Sequence, residues 1–441
     1  MFKKKEKKEV EKNELPKLKR FHIKEAIPFS FDSEKKMFID NNGNYLMMVR
    51  TYGTNLFGFK DADKYAFVNA LSKIFNNSVG RGQIYCYQIG ADVDGYVSDF
   101  QYFKDQLDLS NEIDIAKYEI LEQAQKRLKY TALTKDLVDR CFVFIFKGKD
   151  IFDLEARCKE VISTLGSYQK TEMLDFTDTF LTLYNYYHPI QSKLFEEMGK
   201  EADDIMDFLY PTRIGMVDVG FKQCIELDGV FCKTRYISDF RKEIPFALMS
   251  YLATAGDLDF SLHFMPAEQD AITKSMDKTL RNIDKNLNKA KESSTITKLQ
   301  AQAQETQGMM DKVIAEGSQA FYFSVFVRIK GDSVQQVNEI SRELDNSFAG
   351  FGVRFRDGVF EPLEMFNMSA PICYDVPDRF YKVTTIDTMG YMYPFVFEAL
   401  YDSTPYKQDV NYPPVYIGNT IQTNGVVFYD NFIKGSVTTN G

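Results

Sequence analysis

A chain of 441 residues exceeds one ordinary core, and a prior of about 150 residues per domain divides it into two or three. Its 44% apolar and 27% charged residues are those of a globular soluble protein, and 15% aromatic residues, all Phe and Tyr, supply a sizeable core or several interfaces. A formal net charge of -9 repels phosphate, which excludes wrapping nucleic acid with the general surface while leaving room for a local basic patch.

The chain opens on a basic stretch, Met1-Phe-Lys-Lys-Lys-Glu-Lys-Lys, with no apolar run behind it, so it is not read as a secretory signal. This tail reads either as solvated chain or as a contact with anionic headgroups, at roughly 1 kcal/mol per nearby cation. Met37-Phe-Ile-Asp, Asn42-Gly43 and Tyr45-Leu-Met-Met-Val predict a hairpin, because Asn-Gly supplies the positive φ of a tight primed turn. A helix is expected from Asp61, with Phe67, Leu71 and Ile74 on one stripe, then a strand at Ile84-Tyr-Cys-Tyr-Gln-Ile, then polar helix over 98–128. Asp92-Val-Asp-Gly95 resembles the opening of a calcium loop, but its glycine comes two positions early and no Glu closes it, so it reads as a turn.

Cys141-Phe-Val-Phe-Ile-Phe is an apolar run suited to a strand covered on both faces. Asp150 is a fair N-cap for a helix carrying Leu154, Cys158, Val161 and Leu165, which Gly166 ends. The aromatic cluster Tyr184-Asn-Tyr-Tyr-His-Pro189 lacks the interleaved cations of a base-stacking platform and reads as core or protein interface. The longest apolar run, Phe246 to Ala255, is about half the ~20 residues a spanning helix needs, so no crossing of a membrane is expected.

Asp257-Leu-Asp-Phe-Ser-Leu-His-Phe264 alternates strictly, as a strand with one buried face does; Asp257 and Asp259 then fall on the solvated face rather than on a metal. Ile272, Met276, Leu280, Ile283 and Leu287, then Ile296, Leu299, Ala303, Met310 and Val313, predict an antiparallel helical hairpin over about 266–317. Each arm would be roughly 30 Å long. Its seam is used up between the arms, and its polar outer face projects into solvent or onto another subunit. The basic stretch Lys278 to Lys291 alternates with carboxylates and reads as an ion-paired helix face.

Phe321, Phe323, Val325, Val327 and Ile329 form a further strand, followed by a turn at Lys330-Gly-Asp-Ser333. A helix on Val337, Ile340, Leu344 and Phe348 comes next, stopped by Gly350, and then a short strand at Val353-Arg-Phe-Arg. Phe146-Lys-Gly-Lys-Asp and Ile329-Lys-Gly-Asp-Ser form a weak internal repeat. The fold class is therefore α+β: two ferredoxin-like units, each with helices on one face of a mostly antiparallel sheet. The expected division is a basic flexible tail at 1–25, a first unit at 26–235, a second at 236–370, and a linker with a hairpin at 371–441. That hairpin pairs Val415-Tyr-Ile-Gly with Val426-Val-Phe-Tyr-Asp around Thr423-Asn-Gly425, and a lone hairpin is marginal in water.

No Gly-x-x-x-x-Gly-Lys-Ser/Thr loop, no Gly-x-Ser-x-Gly elbow and no Cys-x-x-Cys pair occurs, and His22, His188 and His263 are dispersed. The six cysteines, 86, 141, 158, 224, 232 and 373, read as reduced thiols rather than a disulfide framework. No catalytic, cofactor-binding or metal residue is assigned.

Met389-Gly-Tyr-Met-Tyr-Pro-Phe-Val-Phe397, Pro414-Val-Tyr-Ile-Gly418 and Gly425-Val-Val-Phe-Tyr-Asp430 follow one another in an order that resembles the segment leading into the motor of the CagE/TrbE/VirB family, the large ATPases of conjugative type IV secretion systems. Arg235-Tyr-Ile-Ser-Asp-Phe before a helix, the strand at 257–264, the long helical insertion and the Phe321 strand keep the family's order too, so the resemblance covers most of residues 30–441. In that family a strand and the Walker A loop come next; here the sequence stops at Asn440-Gly441, where that strand would begin.

The resemblance implies an assembly and docking domain, cytoplasmic and peripheral at the inner face of the cell membrane. Its implied partners are inner-membrane channel proteins and its own RecA-like motor domain in a homo-oligomer, a hexamer. ATP and magnesium belong to that motor and not to this chain, and direct nucleic-acid binding is not expected. Two alternatives stand beside this reading: an ATP-hydrolysing secretion motor of which these residues are the front, and a stand-alone structural scaffold.

Overall fold

In a computed structural model of the chain the described residues are 18–19, 23–53, 60–77, 80–91, 93–134, 137–189, 205–219, 222–240, 247–253, 255, 258–314, 317–358, 361–395, 415–419 and 426–429. The chain enters through a strand β1 (Leu18–Lys19) and a turn of helix α1 (Ile23–Ala26). The first half then runs β2 (Phe29–Asp32), β3 (Met37–Asp40), β4 (Tyr45–Thr51), α2 (Asp61–Asn77), β5 (Gly82–Gly90), α3 (Val93–Asp105), α4 (Glu112–Thr134), β6 (Val138–Gly148), α5 (Ile151–Leu165), β7 (Thr171–Met173) and α6 (Phe176–Tyr187).

After α7 (Ile205–Leu209) the same series returns: β8 (Ile214–Val219), β9 (Lys222–Leu227), β10 (Val230–Asp239), α8 (Leu248–Ala253), β11 (Leu258–Pro266), α9 (Gln269–Leu287), α10 (Ser293–Ile314), β12 (Ala320–Gly331), α11 (Val334–Ala349), β13 (Arg354–Asp357) and α12 (Pro362–Ser369). The second half thus begins at Ile214, and Arg235 lies within β10 rather than at a boundary. The chain continues through β14 (Lys382–Thr385), α13 (Ile386–Tyr391) and the pair β15 (Val415–Asn419) and β16 (Val426–Tyr429).

The strand order explains why the repeat is one body. Within the first half β7, β4, β6 and β5 lie side by side, and within the second β13, β10, β12 and β11 do, with every neighbour antiparallel. β5 pairs antiparallel with β11, Tyr85 opposite Ser261, so the two expected sheets are one sheet of fourteen strands. Close approach at that seam needs Gly82, opposite Phe264, because a Cβ there would collide with the Phe264 ring. The order of pairing also aligns the halves. Matching Phe146 to Ile329 sets Gln83 on Asp259, Ile145 on Arg328 and Tyr87 on His263.

The expected local chemistry is visible at the turns and caps. The Asn42-Gly43 hairpin closes with Gly43 at φ 78° and Ile39 opposite Tyr45. The Asp150 carboxylate accepts from the Phe152 N–H at 2.9 Å, and the Ser333 hydroxyl accepts from the Gln336 N–H at 3.2 Å.

Helices cover both faces of the sheet, not one. On the first face α2, α5, α8, α11 and α13 pack on Phe142, Phe144, Phe146, Phe260, Leu262, Val325 and Val327. On the second, α1, α6, α7 and α12 cover Tyr85, Tyr87, Val143 and Ile145. The pairs α3–α4 and α9–α10 are inserted between the second and third strands of each half, so each half carries a helical arm. Segments expected as tail or linker take part: Leu18 pairs with Val217, Cys373 is buried on the second face, and Tyr393 and Phe395 are buried on the first.

Candidate functional site

Two kinds of place in this fold could carry function: the polar groups buried at the seam of the two halves, and the two arms. The seam groups stand on the second face, where β5, β11 and β12 present Gln83, Asp259, Ser261, His263 and Arg328 to α6 and α12. Asp259 is therefore not solvated. The strand alternates because one face meets apolar helices and the other meets polar backbone, and both faces are buried.

The backbone in question is the C-terminal end of α12, whose last carbonyls have no partner within the helix. Side chains from α6 and the sheet donate to them: Tyr186 Oη of α6 to Phe366 O at 2.6 Å, and from the strands Ser261 Oγ to Ser369 O at 2.7 Å and Gln83 Nε2 to Ala370 O at 2.8 Å. His263 Nε2 lies 2.7 Å from Met368 O, and Gln83 Oε1 accepts from the Cys373 N–H at 2.7 Å.

Arg328 closes this layer. Its Nε donates to Asp259 Oδ2 at 2.9 Å, its Nη1 to Tyr186 O at 2.6 Å, and its guanidinium lies 3.7 Å from the Tyr186 ring centroid. Lys330 Nζ reaches Asp259 Oδ1 at 3.2 Å. Burial drives the Asp259 carboxyl upward, yet Lys330 and Arg328 outweigh it and hold the carboxyl below its ordinary value. Burial, helped by the charge of Arg81, pushes the His263 imidazole down to about 3, so it is neutral there. A carboxylate locked in an ion pair and a neutral, enclosed imidazole are fasteners between sheet and helix rather than reacting groups.

Other expected sites resolve similarly. Tyr184, Tyr186, Tyr187 and His188 are buried, with His188 stacked on Tyr184. Asp94 and Gly95 lie in the first turn of α3, while Asp92 and Asp257 fall outside the described residues. Arg235 ties three elements together, donating to Asp357 at 2.8 Å, to Phe355 O at 3.0 Å and to Ser341 O at 3.1 Å. Among the described residues no group of three or more His, Cys, Asp or Glu is placed to hold a metal ion, and no helix is long and apolar enough to cross a membrane.

The arms differ from one another. In α3–α4, Leu121, Ala124 and Leu128 pack on Phe100 and Phe103, and Tyr416 and Val426 of β15–β16 join that cluster. The strand pair expected to stand alone thus rests on the first arm. The same arm leaves Leu109, Ile113 and Ile120 exposed at 56%, 65% and 52%, and Tyr102 of α3 is exposed as well. Sequence periodicity missed these residues because α4 carries apolar side chains on more than one stripe, which blurs the moment that a single buried face would give.

The second arm is rooted by Ala267, Ile272, Met276, Val313 and Ala320 against Tyr322 and Val383. Its outer surface is polar as expected, but the expected ion pairing of Lys278 to Lys291 is not formed among the described residues. Cations on one stripe of α9 and carboxylates on another are solvated separately.

No family model matches this chain, and no curated protein matches it.

Proposed function

We propose that the chain is an assembly and docking domain of the type IV secretion ATPase kind, built of two ferredoxin-like units and contacting inner-membrane channel components and its own motor domain. The strand order within each half, fourth, first, third, second with all neighbours antiparallel, supports the ferredoxin-like reading. The order of the segments from Arg235 to Asp430 supports the family reading.

One observation carries the docking role: the first arm displays Leu109, Ile113 and Ile120 in solvent, with the exposed carboxylates Asp105, Asp108 and Glu112 close by along the chain. Exposed aliphatic groups accompanied by charge are the usual form of a protein contact. The chain's place is then the cytoplasmic side of the inner membrane, in a homo-oligomer.

The test is a pull-down of this chain against the channel's membrane proteins and against a separately expressed motor domain. Capture of either, weakened by Ile113→Asp with Ile120→Asp, is the expected result; capture of neither removes the proposal. Purified alone, the chain should show no ATP turnover.

A second reading, a stand-alone scaffold, is favoured by the seating of Tyr416 and Val426 on the first arm within this one chain. Resistance of residues 412–441 to protease in the isolated chain, with no capture of motor or channel proteins, would select it.

A further inference from the structure

The polar face of α9 is ordered by sign. Lys274, Lys278, Arg281 and Lys285 recur at steps of four, three and four, which places them on one stripe of the helix, and all four are exposed. Ile272, Met276, Ile283 and Leu287 fall on the opposite stripe and turn to the seam with α10. Asp270, Asp277 and Asp284 recur every seven residues along one border of the cation stripe. Ser275, Asn282 and Asn286, exposed and uncharged, run along the other. None of the four cations forms an ion pair among the described residues. Lys289 and Lys291 in the turn and Lys298 on α10 carry the positive charge on to the end of the arm, and they too are exposed.

We infer that this face of the second arm binds the sugar–phosphate backbone of nucleic acid without regard to sequence. This goes beyond the docking reading and does not depend on it. The four cations span roughly 17 Å of helix at about one per turn, a length over which a DNA strand places several phosphates. The amide and hydroxyl groups on the open border are the side chains that, with Lys and Arg, donate to phosphate oxygens.

The carboxylate border keeps the polyanion to one side. An anionic membrane is the less suitable partner, because a helix lying in the interface inserts an apolar face, and the apolar face of α9 is consumed by α10. The overall negative charge confines the contact to this rod, which stands off the sheet.

The experiment is fluorescence anisotropy of a short labelled DNA duplex titrated with the full chain over a range of salt. Four neutralised phosphates should cost about 100-fold in affinity between roughly 50 and 200 mM salt. The combined variant Lys274→Gln, Lys278→Gln, Arg281→Gln and Lys285→Gln should reduce the slope of log affinity against log salt by about 3–4. Arg127→Gln with Lys129→Gln, on the first arm, should leave it unchanged. The proposal is overturned by absence of duplex binding at low salt, by equal loss in both variants, or by binding to phosphatidylserine vesicles that excess duplex does not displace.

Discussion

Where the first half of the molecule buries Gln83 beside Ile145, the second half buries Asp259 beside Arg328. The frames are alike and the positions equivalent, so the backbone does not require an ion pair there. The difference lies in what covers each place. Gln83 spans the seam and bonds to the chain after α12, whereas Arg328 must also meet the last carbonyls of α6, through Tyr186 O, and the ring of Tyr186 itself. A fork of donors does both at once, and a carboxylate must then accompany it. The repeat teaches that one sheet geometry tolerates neutral or charged fastening, and that the choice follows the helix ends it must satisfy.

The largest effect should come from breaking the charged fastening alone. Asp259→Asn leaves Arg328 buried beside Lys330 with its charge unbalanced, and urea denaturation should show a loss of about 3–5 kcal/mol. Gln83→Leu, at the equivalent place, removes neutral hydrogen bonds only and should cost about 1–3 kcal/mol. Transplanting the first half's pair, Asp259→Gln with Arg328→Ile, should cost less than Asp259→Asn. If the double variant proves the worse of the two, the equivalence of the halves is wrong. At the seam itself, Gly82→Ala should lower stability by roughly 1–3 kcal/mol, since neither the Phe264 ring nor the paired strand can withdraw freely.

Much of this was legible beforehand. The strands at 141–146, 257–264 and 321–329, the cap at Asp150, the turn ending at Ser333, and both arms of the α9–α10 hairpin follow from periodicity and turn chemistry. The burial of Asp259 was not, because an apolar–polar alternation looks the same whether the polar side meets water or the carbonyls of a helix end. Only the placement of α12 after β13, more than a hundred residues along the chain, distinguishes the two. The exposed groups of α4 were hidden for a related reason: Ile113 and Ile120 sit one heptad apart, as core residues do, and their solvent exposure depends on what α3 leaves uncovered.

His263 gives the halves different responses to acid, because the equivalent residue is Tyr87. The imidazole is pushed from 6.5 to about 3 by burial and by Arg81, so the folded chain stays neutral at this position while the unfolded chain takes up a proton. Its contribution is complete above pH 6.5 and is lost as pH falls toward 3, at about 1.4 kcal/mol per pH unit. His263→Gln should flatten the stability profile over that window, whatever it does to stability at neutral pH. An unchanged slope would place the acid sensitivity elsewhere.

The smallest effect on folding should come from the first arm, and that is what makes it informative. Ile120→Ser removes a side chain that is 52% exposed, so thermal and urea midpoints should move by no more than about 0.5 kcal/mol in equivalent stability. Residues that stabilise nothing and still expose aliphatic surface cost solubility, which points to a partner that covers them. The second arm makes the complementary case. Apart from Ile314 at the end of α10, which is 51% exposed, its larger aliphatic groups are buried or half-buried and its outer face is charged, so the same substitution logic applied to Lys278 should change neither stability nor protein capture. A loss of protein capture on Lys278→Gln, with Ile120→Ser inert, would reverse the assignment of the two arms.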